Sequence, residues 1–390
     1  MARRVRLGSR VTSPDAHAPV TTLELFFDLV FVFVVTQLTS YVLESRGAGG
    51  YLESLVMLWV IWWMYDGFAW LSNNVGPTTT STRVPMLLGM AGFLVIAIAV
   101  PNAFAEDRWL FATAYLVSGT VHGLSFLRSS LGRSSAAILA IAPINLGIVA
   151  GLFLAAALPE QWRWLGWALS AALPFVSMLQ RTESGFTIRP AHFAERHRLM
   201  LIIALGESVL AIGKSAQGHL RDPEHLVAVL LAMALIGLLW WVHFADDASL
   251  DRVEAVVERP EGMTGRTALL SFSLGYLVLV AGLILVAAGV HEAVRDPGQH
   301  LPWRAAVTMS AGAATYLAGN VFYLWRLGVG GRRWFMATAV LAVLVVPVGR
   351  VATGTAQVAV LVGVLLVALV PVVRDQPTRT AIDEGAHTSG

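Results

Sequence analysis

Residues 23–43, LELFFDLVFVFVVTQLTSYVL, decide how the rest of the chain is read. The run is apolar enough to enter a bilayer and matches the roughly 20 residues a helix needs to cross one. Yet it carries Glu24 and Asp28. A carboxylate disfavours insertion by about 2.5–3.5 kcal/mol at mid-depth and by less near the edge. Four residues apart, the two acids share one helix face. That face must look at other helices or at water inside a bundle, so polar partners are expected elsewhere in the chain.

The composition agrees. Of 390 residues, 56% are hydrophobic and 13% charged, where a soluble globular domain carries about 25% charged residues. The mean hydropathy is +0.67, and the apolar residues come in long blocks, which indicates a membrane protein whose first partner is the lipid bilayer. A pI near 9.1 raises nucleic acid as a partner. The net charge is only +2 and the basic residues lie in short loops rather than one patch, so no nucleic acid is expected. The absence of cysteine excludes disulfides, thiolate zinc sites and cysteine nucleophiles. Arg3, Arg4, Arg6 and Arg10 precede the first apolar run, but that run is too long, too acidic and without a small-x-small site to be a signal peptide.

An all-α polytopic fold is therefore expected, with about twelve spans at 23–43, 51–71, 84–104, 108–127, 136–157, 162–179, 198–217, 225–244, 267–289, 303–325, 333–349 and 355–373. Residues 1–22 read as a basic tail, 23–180 and 181–373 as two six-helix halves, and 374–390 as a polar tail. With the N-terminus inside, 19 of the Arg and Lys residues fall on the inner side and 8 on the outer. That bias places both termini in the cytoplasm. The halves echo one another. Trp62-Trp63 precede Asp66 as Trp240-Trp241 precede Asp246-Asp247, and His122 and Asn320 each stand six residues before an arginine. Six spans separate equivalents, so the repeats would share one topology about an axis along the membrane normal.

Counting 1.5 Å per residue from the inner face gathers the ionisable groups in an inner-leaflet layer. Glu24, Asp28, Asp66, His122, Glu195, His197, Arg198 and Asn320 lie in it, and Glu207 stands deeper, near the midplane. Trp59, Trp62, Asp66, Trp70 and Asn73 share one stripe of the second span, Ser118, His122 and Ser125 one of the fourth, and Tyr316, Asn320 and Tyr323 one of the tenth. The functional reading is a cytoplasm-facing polar cavity ending at Glu207, able to bind a cation, relay protons or hold a small polar solute. The structural reading is that Glu24 and Asp28 bond Arg196 or Arg198 and lock the first span to the seventh. Small residues along the seventh span, from Ala204 to Gly213, suggest that it is central.

Two stretches carry a family likeness. Glu24-Leu-Phe-Phe-Asp28-Leu-Val-Phe-Val with Thr36-Gln37, and residues 195–208, ERHRLMLIIALGES, resemble the two hallmarks of the bacterial low temperature requirement protein A family, with a looser likeness from about residue 20 to 373. The resemblance implies a bacterial polytopic membrane protein linked to growth in the cold and implies no chemistry. Members carry a more acidic second connection. Here it is VGPTTTSTR (75–83), which argues against cation chelation in that loop. No Walker loop, Gly-x-Gly-x-x-Gly, Gly-x-Ser-x-Gly or His-Glu-x-x-His occurs, so no cofactor and no enzyme class is expected. A metal held by Asp28, His122, His197, Glu195 and Glu207 is left open by spacing alone, as is the oligomeric state. Three functions remain in view: a transporter of an ion, proton or small polar solute, an intramembrane enzyme on a lipid, and a structural membrane stress protein.

Overall fold

The run FVFVV is rich in residues that favour strands in water, yet it forms the middle of a helix. In lipid every backbone polar group must be satisfied within the segment, and a helix does so where a lone strand cannot. Helix α1 (Thr22–Glu44) opens with a capping box: Glu24 accepts from the Thr21 amide and hydroxyl, both at 2.8 Å, and Thr21 Oγ1 accepts from the Glu24 amide. Its buried face is Phe27, Asp28, Phe31, Val34, Val35, Leu38 and Val42, at helical spacing.

The computed structural model describes residues 19–45, 47–129, 133–179, 189–218, 221–244, 265–328 and 332–374. Among these the protein is all-helical, and a helix covers each of the twelve expected segments. After α1 come α2 (Ala48–Val75), α3 (Thr80–Ala99), α4 (Arg108–Ser129), α5 (Arg133–Ala157) and α6 (Arg163–Leu179). Then follow α7 (Pro190–Ser215), α8 (Pro223–Phe244), α9 (Leu269–Arg295), α10 (Trp303–Arg326), α11 (Arg333–Val351) and α12 (Gly354–Arg374). Eight of them, α1 to α5, α8, α9 and α11, are long and apolar enough to cross a membrane. The other four are shorter or more polar. Helix α6 has 17 residues, and α7 carries Glu195, Arg196, Arg198, Glu207 and Lys214.

The packing order is the same in both halves. In the first, α1 packs on α2 and α3, α3 on α4, α4 on α5, α5 on α6, and α2 on α6. In the second, α7 packs on α8 and α9, α9 on α10, α10 on α11, α11 on α12, and α8 on α12. Helices α1 and α7 meet at the junction. The expected stripes are the buried ones: Trp59, Trp62, Asp66, Trp70 and Asn73 on α2, and Tyr316, Asn320 and Tyr323 on α10. Asn145, two residues past Pro143 in α5, accepts from Trp63 Nε1 at 2.9 Å and so ties α5 to α2.

Close helix approach does not occur where the small residues of α7 suggested it. A Cβ on Gly206 or Gly213 would meet nothing within 4 Å. The tight contacts lie instead between α9 and α10, where Gly282 faces the Tyr316 backbone and Gly312 faces the Val286 backbone, and between α5 and α6 at Gly151 and Gly166. Arginines tie off helix ends across the bundle. Arg108 donates to Ala156 O (3.0 Å), Arg163 to Phe104 O (2.7 Å), Arg304 to Leu43 O (2.9 Å) and Arg350 to Leu301 O (2.9 Å). A planar fork of donors suits these carbonyls better than an ammonium does. Gly312→Leu should destabilise the purified protein by about 1–3 kcal/mol through overpacking, read as a lower melting temperature in detergent. Gly206→Leu should leave that temperature unchanged.

Candidate functional site

The charged centre is built by two helices in matched register. On α1 the acids stand at Glu24 and Asp28. On α7 two bases with the same four-residue spacing, His192 and Arg196, face them. His192 Nε2 lies 3.3 Å from Glu24 Oε1, and Arg196 Nη2 lies 3.1 Å from Asp28 Oδ1. The sequence offset is 168 residues for both pairs. Equal offsets mean that α1 and α7 run in the same direction here.

Arg196 is fully buried and its donors are spoken for. Nε and Nη2 both donate to Asp28 Oδ1, at 3.3 and 3.1 Å, and Nη1 donates to Ser72 Oγ and to Phe68 O at 3.4 Å. Glu24 Oε1 lies 3.8 Å from Nη1. The rings of Phe27 and Tyr65 flank the guanidinium at 5.6 and 5.9 Å. Tyr65 also donates to Asp28 Oδ1 at 2.9 Å, so that oxygen takes three donors while Oδ2 is buried with none.

One residue further along α7, His197 turns toward α2. Its Nδ1 lies 2.9 Å from Phe193 O and its Nε2 3.5 Å from Asp66 Oδ1. Nδ1 is bonded to the Phe193 carbonyl, whereas Nε2 points at Asp66 Oδ1 without a hydrogen bond. Four aromatic rings surround it, Trp62, Phe193, Phe272 and Tyr276, with centroids 4.5 to 6.4 Å away. Asp66 Oδ2 accepts from Trp70 Nε1 at 3.1 Å. Phe272 and Tyr276 are brought here by a π-helical opening of α9 at Leu269–Leu274, a distortion common near working sites.

Beyond Tyr276 lies a second, uncharged network. Asn320 Nδ2 donates to Tyr316 O at 3.0 Å, which fixes its amide so that Oδ1 accepts from His243 Nδ1 at 2.8 Å. His243 Nε2 then accepts from the Tyr276 hydroxyl at 3.0 Å. This histidine is satisfied as a neutral ring.

Of the residues expected to share a site, Glu24, Asp28, Asp66 and His197 come together, and Asn320 joins the neighbouring network. His122 is buried apart from them. It packs between Phe68 and Phe126 against the Gly67 backbone, with Nε2 unpartnered. Glu195 is exposed, and Arg198 lies over the Phe244 ring at 5.4 Å. Glu207 is half-buried. It stands eleven residues past Arg196, about 16 Å along the axis, too deep to join the layer. Asp246 and Asp247 lie outside the described residues. No three His, Asp or Glu side chains gather as metal ligands among the described residues. The participants missing from the expected set are His192, Tyr65 and Tyr276; of the two arginines expected as partners of Glu24 and Asp28, Arg196 is the one that bonds. The i, i+4 match of 192/196 to 24/28 was the readable sign of His192 and Arg196.

The family model for bacterial low temperature requirement A protein matches residues 19–370. Over 323 residues the chain is 27% identical to the uncharacterized protein RA0937 of Rhizobium meliloti (strain 1021), covering 79% of this chain and 77% of that protein.

Removing one partner of a buried ion pair strands the other, at a cost of about 3–5 kcal/mol. Arg196→Gln should therefore lower the melting temperature of the purified protein sharply. Arg196→Lys should recover only part of it, because a single ammonium cannot reach Asp28, Ser72 and Phe68 O together. Full recovery by lysine would show that charge alone matters.

Proposed function

The chain belongs to the bacterial low temperature requirement A family, and from that premise we propose that it is a transporter-like protein of the cytoplasmic membrane in which the buried acid–histidine layer binds and releases a proton. An ion or small polar solute is the species such a proton would accompany. The supporting observation is the charge balance of the layer. Three buried acids, Glu24, Asp28 and Asp66, face one guanidinium, and the remaining partners, His192 and His197, are imidazoles. The acids outnumber the one permanent cation by two, and the two imidazoles are the groups beside them that can take up protons. A low-dielectric interior holds an uncompensated charge poorly, so the layer has a place for one more proton. Glu24 Oε1, Asp28 Oδ2 and Asp66 Oδ1, each buried without a hydrogen bond, offer acceptors for it.

The finer topology belongs to the same proposal: twelve crossings in two six-helix repeats of one orientation, both termini inside. The shared direction of α1 and α7 and the repeated packing order support it. A cysteine-free chain allows a direct check. Single cysteines placed in the N-terminal tail or after residue 374 should react with a membrane-impermeant thiol reagent only when the cytoplasmic face is opened. Labelling of either one from outside would overturn the orientation.

One observation favours a second reading, a structural lock. Arg196 is so completely bonded between α1, α2 and α7 that the layer holds the bundle together whatever else it does. The family description attaches low-temperature growth to this class of protein, and either reading is compatible with it. Proteoliposomes holding a pH-sensitive dye separate the two. Wild-type protein should move protons under an imposed potential. Asp66→Asn should cut the rate about tenfold or more, equivalent to roughly 1.4 kcal/mol in the site, while the protein stays monodisperse. Absence of proton movement in the wild type would leave the structural reading.

A further inference from the structure

Of the three histidines in the polar layers, His243 is bonded at both nitrogens and His197 at Nδ1 only, to a backbone carbonyl. His197 faces an acceptor on each nitrogen, and His243 faces one acceptor and one donor with no acid in contact. His192 differs. It lies buried in the first turn of α7 between α1 and α2, with Glu24 on Nε2 at 3.3 Å and the Asn73 side-chain amide on Nδ1 at 3.4 Å. The orientation of Asn73 is fixed by two bonds to the Arg189 backbone. Its Oδ1 accepts from the Arg189 N–H at 2.9 Å, and its Nδ2 donates to Arg189 O at 2.9 Å. Hence Asn73 presents a donor to His192. Nδ1 must accept, and the single ring proton sits on Nε2 toward Glu24.

The same asparagine is a clamp. Through Arg189 it joins the end of α2 to the start of α7, and the Arg189 side chain reinforces it by donating to Asn73 O (2.6 Å) and Ser72 O (3.0 Å). The charged groups around His192 are therefore Glu24 on α1, Arg196 one turn along α7 with Asp28 behind it, and Arg189 at the head of α7. On α2 the facing group is the neutral Asn73.

We propose that His192 is the group on which the layer takes up its exchangeable proton, and that this proton opens the Asn73–Arg189 clamp. The proposal names the proton-binding residue of the transport reading, and in that it rests on it. The proton adds to the lone pair of Nδ1. Nε2–H still faces Glu24 Oε1 at 3.3 Å, and the acid gains a cationic neighbour. The new Nδ1–H meets the Asn73 Nδ2 donor. Two donors cannot face one another, so the amide turns to present Oδ1 and gives up both bonds to the Arg189 backbone. Loss of the proton reverses the sequence. His192 alone pairs an acid on one nitrogen with a reversible donor on the other, which is what converts protonation into a change between helices.

Hydrogen exchange on the purified full-length protein tests this. Peptides covering residues 72–76 and 189–194 are followed across the range in which histidine titrates, with rates corrected for intrinsic pH dependence. In the wild type, protection at these two ends should fall about tenfold or more on acidification, the scale of two lost hydrogen bonds. His192→Gln keeps a neutral donor and acceptor and should stay protected throughout. Asn73→Asp can accept from the Arg189 N–H and from the imidazolium at once, so its exchange should not follow the titration of His192. Flat wild-type exchange, or pH dependence that persists in either variant, overturns the proposal. The two variants alter opposite partners of one contact, so poor folding of one leaves the other decisive. If proteoliposomes move no protons while exchange still follows His192, the transport reading falls and the proton-operated clamp stands.

Discussion

A guanidinium with no exposure, in the middle of an apolar bundle, constrains everything near it. Arg196 would be prohibitively costly there without Asp28, and Asp28 without Arg196. Their pairing fixes three helices at once, because the donors left over from Asp28 reach Ser72 and Phe68 on α2. It also sets the rotation of α7, so that Glu195 points out and His197 points at Asp66. Apolar packing agrees with that rotation: Phe193, Met200, Leu201, Ala204 and Leu205 are buried on the same side, while Gly206 and Gly213 face open space.

That is why the helices were legible in the sequence and the site only in part. A bilayer leaves a long apolar segment little choice but to be helical, so each expected segment is a helix even where β-branched residues crowd, as in α1. The buried stripe of α2 was legible because aromatic and polar residues recur at helical spacing. Depth was legible too, and it put Glu24, Asp28, Asp66 and His197 at one level. Sequence does not report which way α7 turns about its axis. Arg196 and Arg198 are equivalent by depth and differ by rotation; one is sealed between two acids and the other lies on an aromatic ring. Glu207 drew attention because mid-depth acids are rare, but three turns of helix separate it from the layer.

The two halves of the chain divide the labour unequally. Helices α2 and α8 carry tryptophan pairs at corresponding places, and three residues after the first tryptophan stand Tyr65 and His243. Tyr65 bonds an acid, whereas His243 bonds an amide and a phenol. One place later Asp66 corresponds to Phe244. Among the described residues the buried acids gather where α7 meets the first half, and the corresponding His243 network has no acid in contact, with Arg198 nearby on the Phe244 ring.

This asymmetry bears on how such a bundle could work. If both halves held buried charge, each would have to be neutralised separately, and motion of one against the other would strand ions on both sides. With the buried acids of the described residues at the junction of α1, α2 and α7, relative movement of the halves would disturb a single cluster. The neutral His243–Asn320–Tyr276 network can then act as the fixed side. Tyr276 touches both, with its hydroxyl on His243 and its ring against His197. A change at His197 is therefore passed to Tyr276, two residues past the π-helical segment where α9 departs from regular geometry, and to Phe272 within that segment.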